Sequence, residues 1–164
     1  MFFKDRIDAG CRLAQKLSEY AGRENLLVLG LPRGGVPVAF EVAAKLGAPL
    51  DVFVVRKLGT PGHKELAMGA LASGGVRVIN PEVLSRVINA EVTLEAATQS
   101  ESMELTRREA LYREGRLPLS VKNQTVLVVD DGLATGATMR AAVAALRKLG
   151  AAQIVVAIPV GAAS

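Results

Sequence analysis

Tryptophan is absent from this 164-residue chain, aromatic residues make up 4% of it, and there is one cysteine and one histidine. Each scarcity closes off a class of protein. A single thiol, Cys11, cannot form an internal disulfide; a small buried position within an amphipathic helical pattern accounts for it. The lone His63 sits in Pro61-Gly62-His63-Lys64-Glu65 and reads as an exposed loop residue rather than a general base. So few aromatics provide no interleaved platform on which bases could stack, so RNA or DNA binding ranks low. No apolar run approaches the ~20 residues needed to cross a bilayer. The segment Met1 to Arg12 carries charges where a signal peptide would need an apolar stretch, so a cytoplasmic location is expected.

What the chain does contain is aliphatic. Half of its residues are apolar, dominated by Ala, Val, Leu and Gly, which is the composition of a compact α/β protein and gives one domain over residues 1–164. The formal net charge of +4 favours an anionic partner without saying which. Much of the positive charge, Arg107, Arg108, Arg113, Arg116 and Lys122, is interleaved with Glu101, Glu104, Glu109 and Glu114. That pattern fits a solvated helix face with ion pairs better than a nucleic-acid groove.

Periodicity divides the chain into alternating elements. Asp5 to Tyr20 places Ile7, Leu13, Leu17 and Tyr20 near one helical face, as in a covering helix. Leu26 to Leu29 reads as a buried strand, followed by Gly30-Leu31-Pro32-Arg33-Gly34-Gly35 and a helix from Val36 to Leu46. Leu50 to Val55 repeats the strand signal and leads into a loop, Arg56 to Gly62, with two cations at its mouth. Leu66 to Leu71 and Val76 to Ile79 flank Ala72-Ser73-Gly74-Gly75 as in a hairpin. Asn80-Pro81 looks like an N-cap with proline at the first helical position, and an interrupted helical pattern, two helices, then runs to about Arg116. Thr125 to Val129 is a β-branched strand, Asp130 to Ala137 a loop, Thr138 to Leu149 a helix closed by Gly150, and Ile154 to Ile158 the last strand. Strands that are apolar throughout and alternate with helices imply a parallel sheet covered on both faces, with Val126 to Val129 near its centre.

The segment Val126 to Thr138 carries the chemistry. It joins a buried strand to a helix N-terminus through Asp130, Asp131 and a loop of small residues. Backbone N–H groups in such a loop can point at a phosphate, the helix dipole favours its charge, and Gly136 permits close approach. Thr135 and Thr138 add hydroxyl donors. Ionised Asp130 and Asp131 only accept hydrogen bonds and so suit a ribose diol beside that phosphate. An ordinary turn in which the aspartates cap a helix is the plainer alternative, and it explains two adjacent acids poorly.

This segment closely resembles the binding motif for 5-phosphoribosyl-1-pyrophosphate (PRPP) in type I phosphoribosyltransferases. The wider similarity, to bacterial phosphoribosyltransferase-domain proteins, rests on Leu-Pro-Arg-Gly-Gly, Val-Arg-Lys-Leu-Gly and Val-Asp-Asp-Gly-Leu-Ala-Thr-Gly-Ala-Thr occurring in that order over nearly the whole chain. The resemblance implies a Rossmann-like core in which Asp130 and Asp131 hold the ribose hydroxyls and Ala134, Thr135, Gly136, Ala137 and Thr138 wrap the 5-phosphate. It further implies that Pro32-Arg33-Gly34-Gly35 contacts pyrophosphate, often through a strained or cis peptide, with Arg33 as its cation. Arg56 and Lys57 fall where relatives place a basic residue against pyrophosphate, and residues 58–75 resemble the region covering bound substrate. Mg²⁺ would be held mainly by ligand oxygens and water rather than by a protein cage.

The implied reaction is transfer of the 5-phosphoribosyl group to a nitrogen nucleophile, a nucleobase by class, with release of pyrophosphate. A PRPP-binding module without transferase activity is the alternative. Relatives commonly continue past the last strand into a hood over the nucleophile, whereas this sequence stops at Gly161-Ala162-Ala163-Ser164, so the hood is expected to be reduced or missing. A homodimer is the default assembly.

Overall fold

The structure, a computed structural model, describes residues 2–161. Two elements form its centre, strands β1 (Leu26–Gly30) and β6 (Thr125–Val129), every residue of which is buried. They pair in parallel, with β2 (Leu50–Val52) outside β1 and β7 (Gln153–Ala157) outside β6, giving the order β2-β1-β6-β7. Continuous apolar strands require cover on both sides, and the side chains divide with the pleat. Leu26, Val28, Leu127 and Val129 face a cluster built on α1 (Arg6–Lys16) and α2 (Gly35–Leu46). Leu27, Leu29, Val126 and Val128 face the opposite cluster, which α5 (Ala137–Lys148) completes with Ala142 and Leu146. The expected α/β architecture, a parallel sheet with helices on both faces and residues 126–129 near its centre, is the one observed.

The helices follow their sequence signals, with three differences in detail. In α1, Gly10 lies tightly against α2, where an added Cβ would lie 2.7 Å from the Glu41 Cβ. Ile7 lies off that contact and is 57% exposed, contrary to its expected place on the buried face. Cys11 is only partly buried, with its Sγ 3.5 Å from Glu41 Oε2. Burial and the neighbouring Glu41 carboxylate push its thiol pKa up. The two expected helices after Asn80 are α3 (Pro81–Leu84), capped by the Asn80 side chain, and α4 (Ala90–Tyr112). Along α4, Glu104 accepts from Arg107 and Arg108, as the interleaved charges suggest, but Arg113 instead donates from Nε and Nη2 to Asp51 of β2.

The main correction concerns residues 50–62. No single strand runs from Leu50 to Val55 into a loop. Strand β2 ends at Val52, Phe53 N–H still donates to Gly30 O of β1, and the chain then changes partners: Val54 N–H donates to Ser73 Oγ and Ser73 N–H to Val54 O. Ser73, fully buried, therefore marks where the backbone leaves the parallel sheet. From there β3 (Val55–Thr60), β4 (His63–Ala72) and β5 (Val76–Ile79) form a separate antiparallel sheet, order β3-β4-β5. Arg56 and Lys57 are thus strand residues, not loop residues. The hairpin expected around residues 72–75 is the β4–β5 connection. His63 is exposed and opens β4 rather than lying in a loop. A third apolar cluster, including Val54, Leu58, Met68, Leu94 and Leu105, joins this sheet to α4.

Candidate functional site

Register decides which loops meet. Gly30 is paired with Val129 on one side and Val52 on the other, so the carboxyl ends of β1, β2 and β6 lie together. The loops leaving β1 and β6 must share one wall, which is where parallel α/β sheets bind ligands. The contact is close. Leu31 N–H donates to Val129 O at 2.9 Å. A Cβ on Gly35 would stand 2.6 Å from Val129 O and 2.9 Å from Asp130 Cα, and one on Gly34 would overlap the Asp131 carboxylate. Gly35 is therefore fixed by lack of space, and a side chain at Gly34 would have to displace the Asp131 carboxylate. The Pro32–Arg33 peptide in this loop is cis, and the Arg33 side chain is exposed.

On the other side of that wall, Asp130 and Asp131 follow β6 directly. The Asp131 N–H donates to Asp130 Oδ1 at 2.8 Å, and Asp131 Oδ2 accepts from Arg6 Nε at 3.0 Å and Nη2 at 2.8 Å. The remainder of the loop turns through Gly136, whose φ of +75° is in the left-handed region that glycine tolerates. It then enters α5. The first bond of the helical ladder here runs from Arg140 N–H to Gly136 O, and Ala137 N–H is bound by Thr135 Oγ1. The N–H groups of Thr138 and Met139 precede that ladder and point out of the helix end. Arg140 Nη1 closes back onto Thr135 O at 3.0 Å. A cavity of about 250 Å³ lies over this loop, lined by Asp130, residues 132–139 and, from β3, Lys57.

The pleat of β3 separates the two expected basic residues. Lys57 lines the cavity. Arg56 points the other way, with its Nε 2.8 Å from Glu101 of α4. The structure thus brings Asp130, Asp131, Lys57 and the 134–138 loop together beside Gly34 and Gly35, and it commits Arg56 to a different neighbour. Ala162 to Ser164, where the shortened hood was expected, lie outside the described residues. Two cations at the site escaped sequence reasoning. Arg6 lies 125 positions from its partner Asp131, a separation without a local pattern. Arg140 falls one helical turn after Gly136, and that spacing could have flagged it.

Electrostatics sets the acid pair apart. Burial, then the adjacent Asp131 carboxyl, push Asp130 up from the ordinary 3.8 to about 6. A carboxyl whose pKa is higher folded than unfolded binds more protons in the native state, so stability should fall as pH rises between about 4 and 6. Asp130→Asn keeps the Oδ1 acceptor and removes the charge. We expect urea unfolding to find the variant more stable than the parent at pH 7 and the gap to close by pH 4; a gap independent of pH would refute the assignment. Among the described residues no group of three His, Cys, Asp or Glu is placed to hold a metal. The hard carboxylate oxygens beside an anion cradle fit Mg²⁺ only as an ion carried largely by ligand oxygens.

Comparison with known proteins gives a consistent picture. The family model described as "Phosphoribosyl transferase domain" matches residues 4–164. A protein in two strains of Mycobacterium tuberculosis, provisionally named a phosphoribosyl transferase, is 48% identical over 159 residues, covering 97% of this chain and 36% of its own length. The chain therefore spans little more than a third of that relative. A crystal structure of a protein from Thermus thermophilus superposes with a TM-score of 0.86 at 44% identity, over 98% of this chain and 76% of the other. A purine phosphoribosyltransferase from Pyrococcus horikoshii shares the fold, at 23% identity and a TM-score of 0.52, over 92% of this chain and 69% of the other. No described helix is long and apolar enough to cross a membrane.

Proposed function

The chain belongs to the phosphoribosyl transferase domain family, and from that premise we propose that it binds PRPP at the carboxyl end of β1 and β6 and transfers its 5-phosphoribosyl group to a nitrogen nucleophile, a nucleobase by class. One observation carries the reading: the Pro32–Gly35 loop and the Asp130–Thr138 segment abut so closely that Gly34 leaves no room for a Cβ beside Asp131. One ligand with an anion at each end and a diol between them would span both.

Each part then has a task. The loop at 134–138 and the first turn of α5 wrap the 5-phosphate with N–H and hydroxyl donors. Asp130 and Asp131 accept from the ribose hydroxyls. Arg33 and the 32–35 backbone face the pyrophosphate. We assign Lys57 the cationic role on β3 in preference to Arg56, which is held by Glu101. The bond from the anomeric carbon to the pyrophosphate oxygen breaks with its electron pair leaving on pyrophosphate. The nucleophile's nitrogen supplies the new bond and gives up a proton. The transition state has oxocarbenium character and needs no covalent protein nucleophile, so orientation and charge placement supply the catalysis. Mg²⁺ bound with the ligand would supply charge neutralisation for the departing pyrophosphate.

Titration calorimetry with PRPP and Mg²⁺, followed by pyrophosphate release with a panel of purine and pyrimidine bases, tests both halves. Saturable PRPP binding with release for at least one base is the expected result. Binding without release for any base would favour a regulatory or partial module instead, and the chain's coverage of only 36% of the mycobacterial relative keeps that reading in view. Absence of PRPP binding would remove both readings.

A further inference from the structure

The acid pair is contacted from outside its own loop. Arg6 is the first residue of α1, on the sheet face opposite α5, and its guanidinium reaches the end of β6 to place Nε and Nη2 3.0 and 2.8 Å from one oxygen, Asp131 Oδ2. Both bonds fall on Oδ2, and Oδ1 takes neither. The neighbouring Gly34 holds the same carboxylate from the loop side, since any Cβ there would displace it. Asp131 is therefore clamped between a cation and a backbone wall, with its rotamer set before a ligand arrives.

Resting on the reading of Asp130 and Asp131 as the ribose-facing acids, we propose that Arg6 is a positioning residue of the site: it fixes the Asp131 carboxylate so that one oxygen is reserved for a ligand hydroxyl, and it supplies the counter-charge that lets two adjacent acids coexist. An arginine suits the task because its planar fork holds both a direction and a charge, which an ammonium does not. The other charged groups facing the pair are few. Asp130 and Asp131 face each other, and Lys57 of β3 lines the same loop cavity as Asp130. Arg6 makes the only ion pair found with either acid among the described residues.

The ion pair is largely exposed on the arginine side, at 59% of the side chain, so its loss should barely alter folding. Its effect on the site should be larger, because the two bonds from Arg6 hold the Asp131 carboxylate in one orientation. The test uses Arg6→Ala and Arg6→Lys. Thermal unfolding should be nearly unchanged in both. The side-chain carboxyl carbon NMR signal of Asp131 in the ligand-free protein at neutral pH should move in Arg6→Ala, with Arg6→Lys in between. Calorimetric PRPP affinity should fall about tenfold at neutral pH in Arg6→Ala and be partly restored in Arg6→Lys, while inorganic phosphate affinity does not fall in either.

The two readings fail separately. If the parent binds no PRPP while the Asp131 carboxyl signal still moves in Arg6→Ala, the ribose assignment is lost and the clamp on Asp131 stands. If the parent binds PRPP and Arg6→Ala leaves both the Asp131 carboxyl signal and the PRPP affinity in place, Arg6 is a surface ion pair and the proposal is overturned.

Discussion

Asp130→Asn combined with Asp131→Asn should reduce PRPP affinity by at least tenfold and leave inorganic phosphate bound at the 134–138 loop as tightly as before, or more tightly. A carboxylate accepting from a ribose hydroxyl makes a charge-assisted hydrogen bond of roughly 1.5–3 kcal/mol. Asparagine keeps one oxygen but loses the charge, so two such losses exceed a factor of ten even at the low end. Free phosphate has no diol and loses no contact. It also escapes two nearby negative charges, and Arg6, released from Asp131, adds a cation to the neighbourhood. Calorimetry with each ligand in turn reads the two affinities. Equal loss of PRPP and phosphate, or PRPP binding like that of the parent, would show that the acids and the loop do not divide the ligand as proposed.

That division could be seen in the sequence because it is local. Four apolar strand residues, two acids and a small-residue loop are contiguous, and continuous burial of β1 and β6 follows from their unbroken apolar composition. The parallel sheet and the juxtaposition of the two strand-end loops came from the same pattern. What escaped depends on pairing across distance. The end of β2 is set by Ser73, whose hydroxyl and N–H take over the backbone of Val54, and nothing near residue 54 announces it. Once β3 is known to be a strand, the opposite directions of Arg56 and Lys57 follow from the pleat; read as loop residues, they looked equivalent. Arg6 was hidden for the same reason. Gly34 and Gly35 stood out in the sequence through the resemblance alone, and the crowding between two loops that gives them a structural reason is a tertiary fact.

That crowding leads to a contrast between adjacent glycines. At Gly34 the backbone is ordinary right-handed helical, φ −63° and ψ −31°, so alanine is conformationally welcome and the difficulty is only what its Cβ meets. It meets the Asp131 carboxylate, the far end of a side chain that can rotate away. Gly34→Ala should therefore keep the fold, with stability within about 1 kcal/mol of the parent, comparable to other changes at partly exposed positions. It should nonetheless swing Asp131 out of the Arg6 fork and cost PRPP about one charge-assisted bond, a tenfold or greater loss of affinity. At Gly35 the obstacle is backbone: Val129 O at 2.6 Å and Asp130 Cα at 2.9 Å. Neither can move without parting β1 from β6 where Leu31 N–H meets Val129 O. Gly35→Ala should thus overpack the sheet end, lowering stability by about 1–3 kcal/mol or more, and weaken PRPP and phosphate together because both loops shift. Denaturant unfolding and calorimetry on the two variants separate the cases. A Gly34→Ala protein that binds PRPP like the parent, or a Gly35→Ala protein of unchanged stability, would mean that the two loops do not share the wall described here.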